Sequence, residues 1–291
     1  MKPVRSFLFV PGNKESWIEK SVKSGADALI LDLEDSVPPE GKTEARNIVS
    51  EKISWLADQG QRVYVRINRS PHLYDFDDVL AVVKDGLEGV FISKPIGPED
   101  VHCIDMMLSE AEMRCGMEIG KIHVIPLLET ARAIQMAFEI AQHPRVPAIV
   151  GATAKNADVA RALGYLWSPE GTETLYLKSR AVMAARAAGK LPIGGVWQQV
   201  TDLDGLKAAS RADRALGMSG ELVLHPSNVA IVNESYSPTE EEIGYYKGMI
   251  DALEKAQKQG RASVIYDGEH IDIAHVKTAK EIIALSEMLE N

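Results

Sequence analysis

Glu129 closes the apolar run Ile125-Pro126-Leu127-Leu128, and Asp158 opens the amphipathic stretch 158–163. Taken singly, each has an ordinary explanation: a carboxylate favoured by the dipole of the next helix, or an N-cap. They end consecutive strand–helix units, however, so their carboxylates can meet over one point. Two hard oxygen donors, completed by water and substrate oxygens, suit Mg²⁺, which rarely occupies an all-protein cage. Neither His nor Cys accompanies them, which argues against zinc. Arg66 sits inside Val63-Tyr64-Val65-Arg66-Ile67-Asn68, where a guanidinium needs an anion. That anion is either Asp32 or Glu34, one strand away, or a substrate carboxylate held by the planar fork. Acids and one Arg at a common mouth favour the second, as expected for a metal-chelated 2-oxo acid. Gly151-Ala152-Thr153 adds small residues and backbone N–H groups that can hold the same carboxylate.

The elements that must carry these residues are visible as an alternation. Apolar runs at 7–10, 28–33, 63–67, 90–92, 122–128, 148–150, 192–197 and 222–224 are mostly continuous, the mark of strands buried on both faces of a parallel sheet. Between them lie segments of helical period, such as 15–24, 43–57 and 131–142. Eight β-α units predict a (β/α)₈ TIM barrel, with a doubly wound open sheet as runner-up. Barrels carry their sites at the C-terminal strand ends. There this chain has Asp32, Glu34 and Asp35, then Arg66 and Asn68, Lys94, Glu129, Gly151 to Thr153, and His225. A helical run at 173–188 marks an insertion after the sixth strand. We expect the barrel domain over 1–260, with its last helix at 240–259, and an appendage over 261–291. The appendage reads as a hairpin turning at Asp267-Gly268 and a helix at 276–289. Covering a site mouth, in its own subunit or a neighbour's, is one economical use of it.

The 291 residues, 45% of them hydrophobic, suffice for one large domain with a sizeable core. A net charge of -10 argues against a nucleic-acid partner, which would need excess Lys and Arg. Cys103 and Cys115 lack zinc spacing or disulfide density and read as reduced thiols. The N-terminal apolar run is too short for a signal peptide, and none approaches the ~20 residues of a membrane span. Cytoplasm is the expected compartment, with no membrane partner. His225, His270, His275 and the tryptophans Trp55, Trp167 and Trp197 read as structural, and no nucleotide loop or flavin fingerprint is present.

RSFLFVPGN, GADALILDLEDSVPPEGK, VYVRIN, IPLLET, LHPSNVAIVNESYSPTEEEI and YDGEHIDIAHVKTA occur in this order from Arg5 to the C-terminal helix. Together they resemble the citrate lyase β-subunit-like branch of the HpcH/HpaI aldolase family. The resemblance implies a TIM barrel, commonly trimeric or a multiple of three, using Mg²⁺ and acyl-CoA thioesters with 2-oxo acids. It implies cleavage of malyl-CoA, citramalyl-CoA or citryl groups, or the reverse condensation. The family's metal carboxylates match Glu129 and Asp158, its oxo-acid Arg matches Arg66, and Asp32 and Glu34 match an LDLED motif near the metal. A lid Asp that serves as acid/base, often from a neighbouring subunit, matches Asp272 in HIDIAHV. Two departures stand out. GATAKNAD is two residues longer than the family's usual GAED, making Lys155 and Asn156 candidates for a subfamily-specific substrate contact. Gly194-Gly195-Val196-Trp197 replaces a frequent Asp-Gly-Val-Tyr. The rival readings are a CoA-independent aldolase on hydroxy-oxo acids and a non-catalytic oxo-acid-binding or citrate-lyase-complex subunit. Lys14, Lys20 and Lys42 are the candidates for CoA phosphates, against the ordinary alternative of solvated lysines.

Overall fold

The computed structural model describes residues 1–70 and 73–290. All eight predicted runs form strands: β1 Ser6–Pro11, β2 Ala28–Asp32, β3 Val63–Ile67, β4 Leu87–Ile92, β5 His123–Pro126, β6 Ala148–Gly151, β7 Leu191–Val196 and β8 Glu221–Val223. They pair in parallel in the order β5-β4-β3-β2-β1-β8-β7-β6. A parallel bridge between Leu127 and Val150, with Leu128 N–H donating to Val150 O at 3.0 Å, brings the two ends of the sheet together. The result is the nearly closed TIM barrel expected, not the open sheet.

Because side chains alternate along a strand, each strand feeds two cores. Phe7, Ile30, Tyr64, Phe91, Ile125, Val150, Ile193 and Leu222 fill the barrel interior. Phe7, Tyr64 and Phe91 meet edge to face there, 5.4–5.7 Å between ring centres. The intervening residues pack outward against helices α1 Glu15–Ser21, α2 Lys42–Asp58, α3 Phe76–Val82, α4 Pro98–Arg114, α5 Ala131–Gln135, α6 Ala137–Ala141, α7 Asp158–Leu163, α8 Leu175–Ala187, α9 Leu203–Leu216 and α10 Val229–Tyr236. In α2, for example, Ala45, Val49, Ile53 and Leu56 are buried at helical spacing. Each of the three larger ones contributes about 1.5–3 kcal/mol.

The expected helix over 131–142 is two short ones. Arg180 on α8 donates to the carbonyls of Ile134, at 2.8 Å, and of Gln135, drawing both out of the helical ladder just before Met136. The unit boundary also falls earlier than residue 260. One compact unit ends at Tyr236, and the second begins at Ser237. Pro238 interrupts the chain, and Thr239 starts α11 Glu240–Lys258 with a capping box shared with Glu242. Within the second unit, α11 lends Met249 to a small core with Ile271 and Ala279. It packs there with the hairpin β9 Val264–Tyr266 and β10 Glu269–Ile271 and with α12 Ile273–Glu290. The barrel's eighth helix is therefore α10. Among the described residues no helix is long and apolar enough to cross a membrane.

Candidate active site

The inward-facing alternation that builds the barrel core continues one step beyond it. After Ile30 comes Asp32, after Tyr64 Arg66, after Leu127 Glu129, after Val150 Ala152 and after Ile193 Gly195. All five line one cavity of about 790 Å³. Asp158, at the start of α7, lines it too, as does Thr153. Gly151 does not: it lies one register step off, and a Cβ there would meet Ala181 at 2.9 Å and Met218 at 3.2 Å, on the helix side. Of the Gly151-Ala152-Thr153 segment, only the last two face the cavity.

Arg66 is held by Asp32 through Nε–Oδ1 and Nη2–Oδ2 bonds, both 2.6 Å, and lies 4.8 Å over the Phe9 ring. Burial would push the Asp32 carboxyl up, but the bonds and charge of Arg66 outweigh it and hold it below its ordinary value. Glu34 Oε2 stands 3.0 Å from Arg66 Nη1, out of line for a hydrogen bond, and has no hydrogen-bond partner among the described residues despite its burial. Of the five guanidinium N–H groups, the ones not turned to Asp32 or Glu34 remain for an anion in the cavity. Of the two anions weighed from sequence for Arg66, the internal pair with Asp32 is present, and it fixes the orientation of the fork.

Glu129 and Asp158 are joined through one residue, Lys94. Its backbone N–H donates to Glu129 Oε2 at 3.1 Å, and its Nζ lies 3.6 Å from Asp158 Oδ2. The same Nζ bonds Glu34 Oε1 at 2.6 Å and Asp35 Oδ2 at 3.2 Å. Lys94 adopts a φ of 52°, in the left-handed region, at a cost of about 1 kcal/mol for a residue with a Cβ. That turn is what aims its N–H at one carboxylate and its side chain at the others. Ser93, preceding it, donates Oγ to Glu34 Oε1 at 2.8 Å. Burial, and then the Glu34 charge, push the Glu129 carboxyl up to about 7, against the pull of Arg66 and Lys94. Asp158 Oδ1 also pairs with the exposed Arg161.

From this acid cluster the cavity runs to α1, where Trp17, Lys20, Ser21, Lys23 and Ser24 line its wall. Of the lysines singled out from sequence, Lys20 reaches the cavity. Lys42 is bound to the carbonyls of Leu33 and Glu34 at 2.8 and 2.6 Å, and Lys14 is the exposed residue ahead of α1. Lys155 lies 5.5 Å over the Trp167 ring and Asn156 is exposed, so neither inserted residue lines the cavity, whereas their neighbours Ala154 and Ala157 do. Asp272 belongs to the second unit. There its Oδ1 accepts from Ala274 N at 2.9 Å and lies 2.8 Å from His275 Nδ1, contacts that hold its carboxyl below the ordinary value.

Residues 5–226 match the HpcH/HpaI aldolase/citrate lyase family. The chain belongs to that family, a family of carbon–carbon lyases. It is 32% identical to an L-malyl-CoA/beta-methylmalyl-CoA lyase of Cereibacter sphaeroides and 31% identical to a (3S)-malyl-CoA thioesterase of the same organism. Both alignments cover 99% of this chain and 96% of the relative. A solved citrate lyase beta subunit from M. tuberculosis, complexed with oxaloacetate and magnesium, superposes with a TM-score of 0.65 at 25% identity, over 81% of this chain and 98% of that one.

Within the HpcH/HpaI family the Gly194 departure now has a location. A Cβ at Gly194 would meet Asp213 Oδ2 and Glu221 Cβ at 3.3 Å, on the helix side of β7, and Gly195 is the residue that faces the cavity. Position 194 therefore borders Asp213 and Glu221 and is not part of the cavity wall. Glu129 and Asp158 are hard oxygen donors of the type a small dication takes, while among the described residues no three or more His, Cys, Asp or Glu side chains gather as a metal site. Glu129 takes a single hydrogen bond, its charge is under-compensated, and the buried Glu34 Oε2 beside it lacks a partner. Ser93 was not singled out from sequence, and Asp35 and Lys94 were named at the barrel mouth without a role. Lys94 was visible as a strand end, but its role depends on a backbone turn that no periodicity reveals.

Proposed function

We propose that this chain is a Mg²⁺-dependent carbon–carbon lyase acting on a 3-hydroxyacyl-CoA thioester of the malyl-CoA or citramalyl-CoA type. It gives or uses a 2-oxo acid and acetyl-CoA. The observation that carries this reading is the single cavity joining Glu129, Asp158 and Arg66 at one end to Trp17, Lys20 and Lys23 at the other. A free hydroxy-oxo acid would need only the first end, whereas a thioester with a long phosphorylated arm uses both. The lyase relative at 32% identity is named for malyl-CoA and beta-methylmalyl-CoA.

In this reading Glu129 and Asp158 hold the ion, which supplies Lewis acidity towards the substrate's hydroxyl or oxo oxygen. Arg66, fixed by Asp32, takes the carboxylate through its open N–H groups, with the Ala152–Thr153 backbone beside it. In cleavage the hydroxyl proton leaves to a base, the carbon–carbon bond breaks, and the 2-oxo acid separates from a thioester enolate. Asp272 protonates the enolate carbon, or removes that proton in condensation. The working enzyme is taken as a cytoplasmic homo-oligomer, a trimer or a multiple of three.

The test is incubation with malyl-CoA or citramalyl-CoA and Mg²⁺, trapping 2-oxo acid as its phenylhydrazone and assaying free thiol in parallel. Oxo acid and acetyl-CoA in equal amounts without thiol support the lyase. Thiol without oxo acid means hydrolysis, the activity for which the 31%-identical relative is named. Turnover confined to free hydroxy-oxo acids means a CoA-independent aldolase. Metal-dependent oxo-acid binding with no turnover means a non-catalytic subunit.

A further inference from the structure

Lys94 is surrounded by carboxylates from three elements. Its ammonium bonds Glu34 and Asp35, which follow β2, and stands 3.6 Å from Asp158 on α7, while its own N–H holds Glu129 after β5. Among these contacts Lys94 is the residue that links both Glu129 and Asp158. Glu34, its closest partner, is also the residue whose second oxygen lacks a hydrogen bond.

We infer that Lys94 is a positioning residue, a tethered cation that keeps the carboxylates assembled in the metal-free protein and competes with the divalent ion for Asp158. This rests on the metal reading given above. The three contacts are graded in the way the role requires. The bond to Glu34 is short, that to Asp35 longer, and that to Asp158 lies beyond hydrogen-bond reach. An arriving ion therefore displaces the weakest contact and leaves the ammonium anchored on Glu34, so the site need not be rebuilt. Lys94 and a bound ion would then repel, which weakens ion binding and keeps it reversible. Arg161 is the built-in control: it also pairs with Asp158, but its side chain is 78% exposed and its charge is screened by solvent.

The experiment measures Mn²⁺ binding by electron paramagnetic resonance, and the melting temperature in chelator and in saturating Mn²⁺, on the full chain. The variants are Lys94→Met, Lys94→Gln, Lys94→Arg, Arg161→Gln and Glu129→Gln. Removing the Lys94 charge is expected to tighten Mn²⁺ binding about tenfold. It should also lower the melting temperature in chelator and enlarge the rise that Mn²⁺ produces. Lys94→Arg should return both towards wild type, and Arg161→Gln should change Mn²⁺ affinity by less than about twofold. Equal or weaker Mn²⁺ binding in both uncharged variants, with wild type binding normally, overturns the inference and leaves the metal reading intact. If the uncharged variants fold only when Mn²⁺ is present, the exchange of one cation for the other is supported. If they fold in neither condition, it is refuted. Absence of Mn²⁺ binding in wild type, or binding undiminished in Glu129→Gln, sinks the metal reading itself, and the competition with it.

Discussion

Asp32 and Arg66 meet edge to edge on adjacent strands, two hydrogen bonds of 2.6 Å between them, with Phe9 stacked on the guanidinium. The Asp32 side chain is only 2% exposed and that of Arg66 12%. A pair this buried contributes little net stability against apolar side chains, yet losing one partner strands a charge. Asp32→Asn keeps the shape and one acceptor oxygen. It should cost about 3 kcal/mol in denaturant unfolding and raise the KM for the oxo acid, because the fork is no longer fixed. Unchanged stability would mean that Glu34 alone satisfies Arg66.

Gly195 faces the cavity beside Thr153, just past the end of β6. A Cβ there would lie 2.6 Å from both Thr153 N and Thr153 O, backbone atoms that cannot swing aside. Gly195→Ala should therefore cost about 2 kcal/mol and shift the Thr153 segment, raising the oxo-acid KM. Gly194→Ala, with its nearest contact at 3.3 Å on the other side of the strand, should leave KM unchanged. Thermal melting and initial rates on the two variants check this. Equal KM effects would contradict the assignment of the two glycines to opposite faces.

The barrel was legible because strands buried on both faces leave continuous apolar runs, and because the residue two beyond the last core position must face the mouth. That logic finds Asp32, Arg66 and Glu129 from sequence. It also shows why Gly151 is misplaced: an odd step sends it to the helices. What sequence could not show depends on contacts made at a distance. Arg180 splits one helical pattern into α5 and α6, and α11 shares its core with the hairpin. Lys94 acts through a left-handed turn at a position whose residue type gives no hint of one.

Asp272 begins α12 with its carboxylate tied to Ala274 N and His275 Nδ1. These contacts hold its carboxyl below the ordinary carboxylate value. If it is the acid/base of the proposed reaction, Asp272→Asn should lower kcat by about 10²–10⁴-fold. Mn²⁺ affinity and oxo-acid binding should stay at wild-type values, because neither uses this group. Turnover unaffected by the substitution would remove Asp272 from the scheme.

Glu221, on the helix side of β8, accepts from Ser210 Oγ at 2.9 Å and Tyr236 Oη at 3.2 Å, while Asp213 nearby is paired with Lys178 at 2.8 Å. Burial, reinforced by the Asp213 charge, pushes the Glu221 carboxyl from 4.5 up to about 8. The folded protein thus holds a proton that the unfolded chain releases near 4.5. The associated stability is fully present below that pH and is lost as pH rises through about 8, at up to about 1.4 kcal/mol per pH unit. Glu221→Gln keeps a neutral donor and acceptor in the same place and has no proton to lose. It should match wild type near pH 4, exceed it in denaturant midpoint above pH 8, and flatten the profile between. The flattening should be incomplete, since burial also raises Asp213 and its contribution has the same sign. Parallel wild-type and Glu221→Gln stability curves across that range would show that Glu221 is already ionised in the fold, with Lys178 as its partner.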